Sequence, residues 1–197
     1  MTEYERYFAL CRPLMRVYTQ QDVEGFDKAR DTLSCAETDA CLLSAMPPLF
    51  AMPEKMVHQI AEESGNEKLP DLWKHSLALF RRNIKKQRLS ITLLDPKLTV
   101  LTPEFLCPLV VGSEATGVRS YTKEQYALHI DRLRQLEKRY ENLQVRFRSD
   151  VVNNTALYVK ADTGVIMAKI DAPMSAFVIS DQSMVSAFWD YISGLFR

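Results

Sequence analysis

The sequence predicts an α/β (or α+β) fold, with a helical N-terminal part followed by a roughly five-stranded sheet with flanking helices. Three observations carry this. After residue 88, strand-like and helix-like segments alternate, which is the pattern of a sheet covered by helices. Residues 155–197 read as three short strands closed by an amphipathic helix. Leu69, Leu72, Trp73, Ser76, Leu77, Phe80 and Ile84 recur at helical spacing and mark a strong amphipathic helix before the sheet.

The 197 residues are enough for a well-buried core, and the expected division is an N-terminal helical extension over 1–48 and an α/β domain over 49–197. Apolar residues make up 47% and charged residues 25%, the composition of a globular chain. The formal net charge is +0, so no whole-chain field favours nucleic acid or an anionic membrane. No apolar run approaches the roughly 20 residues needed to span a bilayer. The opening residues do not resemble a signal peptide, and Cys11, Cys35, Cys41 and Cys107 form no CxxC pair. Reduced thiols and a cytoplasmic location are expected.

Tyr4, Tyr7, Phe8, Cys11, Met15 and Tyr18 repeat every three or four residues and predict a helix over 3–19, kinked at Pro13. Asp22 is placed to cap a second helix through Val23, Phe26 and Leu33. Cys41–Met46 is a short apolar run that suits a strand, ended by Pro47-Pro48. Pro53 suits the first turn of a helix that stops at Gly65-Asn66. Leu89–Leu94 is the next strand, and residues 97–120, punctuated by Pro103, Pro108, Gly112 and Gly117, are expected to be loop-rich.

Thr122-Lys123-Glu124-Gln125 has the form of a capping box and opens a helix carrying Tyr126, Ile130, Leu133, Leu136 and Tyr140 on one face. Leu143–Arg148 follows as a strand. Ala156–Lys160 and Val165–Ile170 form a hairpin around Asp162-Thr163-Gly164, where Gly164 supplies the freedom for positive φ. The apolar character of the second strand implies burial on both faces. Ala176–Ile179 is a third strand, and Ser180 or Asp181 caps a helix whose stripe is Met184, Val185, Phe188, Tyr191, Ile192 and Leu195.

The segments Tyr121–Tyr126, Asp162–Pro173 and Met184–Tyr191 resemble the C-terminal effector domain of Firmicutes transcriptional regulators that carry an N-terminal helix-turn-helix of the Cro/repressor type. The likeness is clearest over 121–192 and extends to 49–95. It departs at Lys123 and Ala172, where that family carries proline. The resemblance implies a sensor or oligomerisation domain: a homodimer, a small-molecule effector, and DNA reached only through an N-terminal region that is not readable before residue 89. That no membrane is involved is expected from the lack of a long apolar run. The order of elements also resembles one half of a phospholipase D-like fold. Its catalytic signature needs a His and a Lys two residues apart, then an Asp. His129-Ile130-Asp131 lacks the lysine and Lys169-Ile170-Asp171 lacks the histidine, so the resemblance implies a half without the catalytic motif.

No serine elbow, glycine-rich phosphate loop or metal-ligand spacing is present, and no cofactor is implied. Tyr121, Tyr126, Lys169, Asp171 and Trp189 are the candidates for a ligand pocket, with Phe188 and Tyr191 beside them. Against this, aromatics at helical spacing usually form core, and Lys169 and Asp171 suit a pair at the sheet edge. The clusters Arg81, Arg82, Lys85, Lys86, Arg88 and Arg132, Arg134, Lys138, Arg139 read as solvated helix ends. Cys35 and Cys41 read as small buried hydrophobes. The function this supports is a non-enzymatic ligand-sensing or dimerisation domain of a transcriptional regulator. The alternatives are a diverged α/β enzyme acting on a phosphate-bearing substrate, or a pure protein-interaction domain.

Overall fold

The apolar strands at the end of the chain need cover on both faces, and helices from both halves of the chain supply it. The computed structural model describes residues 15–19, 22–98, 122–151, 155–169 and 175–196. Its elements are β1 (Met15–Thr19), α1 (Val23–Cys35), β2 (Ala40–Ser44), a 3-10 turn (Leu49–Ala51), α2 (Glu54–Ser64), α3 (Leu69–Asn83), β3 (Leu89–Leu94), α4 (Lys123–Arg139), β4 (Leu143–Arg148), β5 (Thr155–Lys160), β6 (Gly164–Lys169), β7 (Ser175–Ile179) and α5 (Gln182–Gly194). Among the described residues, no helix is long and apolar enough to cross a membrane.

The strands form one seven-stranded mixed sheet in the order β1-β7-β6-β5-β2-β3-β4. β5, β6 and β7 pair antiparallel, while β2, β3 and β4 run parallel, as their helical crossovers require. β2 joins the two halves, antiparallel to β5 with Leu42 opposite Tyr158 and parallel to β3 with Leu42 opposite Ile91. The alternation of side chains along each strand divides the core. Ala40, Ile91, Leu93 and Val145 pack with Phe80 of α3 and Leu133 of α4, and Ile166, Ala168 and Ala176 with Phe26 of α1. Cys41, Leu157, Val159 and Val165 face the other way, onto Val185 and Ile192 of α5. β6 is thus covered on both faces, as its unbroken apolar character required.

The local signals that set helix ends operate as expected. Asp22 accepts from the amide of Gly25, Asp181 from that of Met184, and Gly65 ends α2 at φ 67°. The capping box closes both ways: Thr122 Oγ1 accepts from Gln125 N at 3.1 Å, and Gln125 Oε1 accepts from Thr122 N at 3.0 Å.

Several expectations are corrected. The sheet has seven strands rather than about five, because residues 15–48 contribute two of them. Residues 15–19 are not the end of a helix: they pair antiparallel with β7, and only Tyr18 of the five is buried. The β-favouring Val17, Tyr18 and Thr19 and an available sheet edge override the helical spacing. The rest of the helix expected over 3–19, and nearly all of the 97–120 loop, lie outside the described residues. In the β5–β6 turn the left-handed residue is Asp162, at φ 56°, not Gly164. Gly164 answers a packing need instead, since a Cβ there would stand 2.8 Å from Leu33 Cδ1 and 3.1 Å from Ile179 O. Cys35 is exposed, whereas Cys41 is buried.

Candidate functional site

The helices α1 and α3 lie over the sheet without filling the space beneath them. Ser44, Ala156 and Ala168 on the sheet, and Ser76 on α3, are too small to close the gap, which leaves a cleft of about 260 Å³. Phe26, Arg30 and Ser34 line it from one face of α1, at four-residue spacing. Leu72, Ser76, Leu79 and Asn83 line it from α3, and Leu42, Tyr158 and Ile166 from the sheet. The remaining wall is the segment Met46–Phe50, where Phe50 stacks on Phe80 with centroids 4.1 Å apart and planes within 6°.

That wall is held from outside by three side chains. Trp73 Nε1 donates to Met52 O, Tyr126 OH donates to Ala45 O, and His129 Nε2 lies at hydrogen-bond distance from Pro48 O, each at 3.0 Å. His129 is fully buried, and burial pushes its pKa down to about 4. The uncharged imidazole is therefore the form that supports the wall at neutral pH.

Behind the opposite end of the cleft, Lys160 is fully buried at the end of β5. Its ammonium group donates to Ala36 O, to Ser34 O at 3.5 Å and to Gln87 Oε1 at 3.2 Å. Two of these acceptors are carbonyls at the C-terminal end of α1, where a cation is favoured. Burial nonetheless lowers its pKa to about 8. Asn83 Nδ2 donates to Ser34 O at 2.6 Å and ties α3 to the same helix end. Tyr158 is held protonated by burial.

The charged groups gather at the mouth. Arg30 Nη1 is 2.9 Å from Asp27 Oδ1, and Arg30 Nη2 is 3.5 Å from Asp31 Oδ1. The other oxygen of Asp31 lies 3.3 Å from His75 Nε2, which links α1 to α3 across the opening. The interior thus offers apolar walls with hydroxyls and amides, and the rim offers paired charges. This is the composition of a small-molecule site, and its volume falls just below the roughly 300–1,000 Å³ usual for such pockets.

Of the residues expected to form a pocket, the described ones, Tyr126, Lys169 and Trp189, do not line this cleft. Tyr126 is buried against α2 and the end of β2, where it anchors the wall without lining the cleft. Its ring also borders an open depression with Lys97, Lys123 and Asp131. Trp189 packs in the cluster beneath α5, and Lys169 ends β6 opposite Thr155 and Ser175. Tyr121 and Asp171 lie outside the described residues. The basic clusters are engaged in part: Lys86 Nζ meets Glu37 Oε1 at 2.6 Å, and Arg134 meets Glu137 at the same distance. Among the described residues, no group of three His, Cys, Asp or Glu side chains is arranged to hold a metal ion. Sequence reasoning missed the cleft, although Ser76 and Asn83, polar residues two turns apart on the buried side of α3, were a signal for it.

No protein-family model matches the sequence, and no curated protein does. The solved structures that match the chain include two of low similarity. One is TrmBL2, described as an archaeal chromatin protein with a novel mode of DNA binding, at 12% identity and a TM-score of 0.47 over 98% of this chain and 57% of that one. The other is NucT from Helicobacter pylori, at 8% identity and a TM-score of 0.48 over 92% of this chain and 94% of that one. The chain therefore spans little more than half the length of the first, and at these identities neither assigns a site or an activity.

Proposed function

We propose that the chain is a non-enzymatic, small-molecule-sensing regulatory domain, which acts as a homodimer in a cytoplasmic transcriptional regulator and reaches DNA through a separate N-terminal region. The observation that supports sensing is the cleft of about 260 Å³ between the sheet, α1, α3 and the Met46–Phe50 wall. A ligand there touches the sheet, both helices and the wall at once, and α1 is joined to α3 by the Asp31–His75 contact of 3.3 Å at the mouth and by the Asn83 hydrogen bond to Ser34 O of 2.6 Å behind it. A molecule that fits one spacing of α1 and α3 better than another shifts the population toward it, and that difference in affinity is the signal.

The alternative is an enzyme acting on a phosphate-bearing substrate. Its best support is the Asp31–His75 pair, a carboxylate that orients an imidazole. A phosphate site also needs uncommitted cations, and Arg30 is shared between Asp27 and Asp31.

The test is thermal melting against a metabolite panel, with mass in solution recorded alongside. A ligand at about 100 times its Kd adds about 2.7 kcal/mol, which raises Tm by roughly 5–10 °C for a chain of this size. The sensing reading expects such a shift in the wild-type chain and its loss in Ser76→Phe, which fills the cleft from α3. A shift that survives Ser76→Phe unchanged removes the cleft from the reading. Turnover of a phosphate ester abolished by His75→Ala moves the assignment to the enzyme.

A further inference from the structure

From the charge layout of this cleft we infer its ligand class: a small, largely apolar and aromatic molecule bearing an amine, with the ring under Phe26 and the Phe50–Phe80 stack and the ammonium at Asp31. The inference rests on the sensing reading and adds the chemistry that would be sensed.

The interior excludes a charged head. Its polar groups are those of Ser34, Ser44, Ser76, Asn83, Gln87 and Tyr158, all neutral, among apolar walls. A charge placed there without a partner is costly. The one buried cation nearby, Lys160, has its three donors aimed at Ser34 O, Ala36 O and Gln87 Oε1, and it does not line the cleft. A carboxylate entering from solvent finds no open ammonium group.

The head must therefore sit at the mouth, and the mouth decides its sign. With His75 uncharged, two carboxylates, Asp27 and Asp31, face one guanidinium. With His75 charged, the group is balanced. In neither state is there surplus positive charge, so an anionic head meets no net attraction and a cationic head meets an acceptor. Asp31 is the acceptor within reach, because it lines the cleft and its long contacts of 3.5 Å to Arg30 and 3.3 Å to His75 leave it able to take an N–H donor. Asp27 holds the closer contact to Arg30, at 2.9 Å, and does not line the cleft. The aromatic preference follows from the walls, where a flat ring is offered offset stacking on rings already in place.

The experiment uses the purified chain and three probes with one ring and different heads: 2-phenylethylamine, 2-phenylethanol and 3-phenylpropionate. Affinities are measured by calorimetry at neutral pH and low salt. The expected result is at least ten-fold tighter binding of the amine than of the carboxylate, with the alcohol between them. Asp31→Asn should remove the advantage of the amine and leave the alcohol unchanged, and Asp31→Glu should restore part of it. Equal or tighter binding of 3-phenylpropionate overturns the inference and leaves the sensing reading standing. Failure of all three probes also overturns it, and the sensing reading is then judged separately by whether Ser76→Phe abolishes the panel shift.

Discussion

Acid should loosen the wall of the cleft through one side chain, His129. Its imidazole is fully buried on α4, with Nε2 3.0 Å from Pro48 O, and burial lowers its pKa from 6.5 to about 4. In the unfolded chain the ring takes its proton near pH 6.5, and in the fold only near pH 4. Between those values the unfolded chain binds more protons, so stability falls as pH falls, while above 6.5 this loss is absent. The slope approaches about 1.4 kcal/mol per pH unit, and the loss accumulated at pH 5 is about 2 kcal/mol. For a chain of this size that corresponds to roughly 4–8 °C in Tm. The assay is urea and thermal unfolding from pH 7.5 to 4.5 for the wild type and for His129→Gln, which keeps an N–H donor and does not titrate. Carboxylates titrate in both proteins and cancel in the difference. The wild type should lose about 2 kcal/mol more than the variant between pH 7.5 and 5. Parallel pH curves for the two would refute the reasoning, because they would mean that the ring accepts a proton as easily in the fold as outside it.

Gly164→Ala should cost about 1–3 kcal/mol, since the new methyl meets Leu33 Cδ1 at 2.8 Å and Ile179 O at 3.1 Å. In a Leu33→Ala background the increment should shrink but not vanish, because the carbonyl cannot move aside; strictly additive losses in urea melts would count against this packing account. The outer edge of β4 is blocked by a side-chain clamp: Val145 N donates to Glu137 Oε1 at 2.6 Å, and Arg134 Nη1 donates to Val145 O at 3.0 Å. Removing both side chains (R134A with E137A) should lower stability by about 1 kcal/mol per lost bond and make the mass seen by light scattering rise with concentration, whereas an unchanged mass would show that the clamp is not what protects this edge. A chain of residues 49–197 lacks β2, which lies between β5 and β3, and should fail to fold; a cooperative thermal melt of that fragment would support a domain boundary at residue 48 instead.

The sequence determined by itself everything that depends on neighbours along the chain. Helix ends were legible because Asp22, Gly65, Thr122 with Gln125, and Asp181 act within a few residues of themselves. The burial of β6 on both faces was legible because an unbroken apolar strand must be covered twice. Tertiary structure decided what depends on distant partners. Residues 15–19 became a strand because β7 offered them a sheet edge, and no local spacing announces that. Gly164 is glycine because Leu33 and Ile179 crowd it, not because the turn bends there. The cleft is the clearest case. Its lining comes from α1, α3, the 46–50 segment and four strands, and its volume is set by small residues that meet only in the fold. Tyr126 was legible as an aromatic with a polar handle, yet only the fold aims that handle at Ala45 O and makes the residue a support for the cleft wall. Local chemistry fixes where elements start and stop; the space between them is a property of their packing, and in this chain the candidate site is such a space.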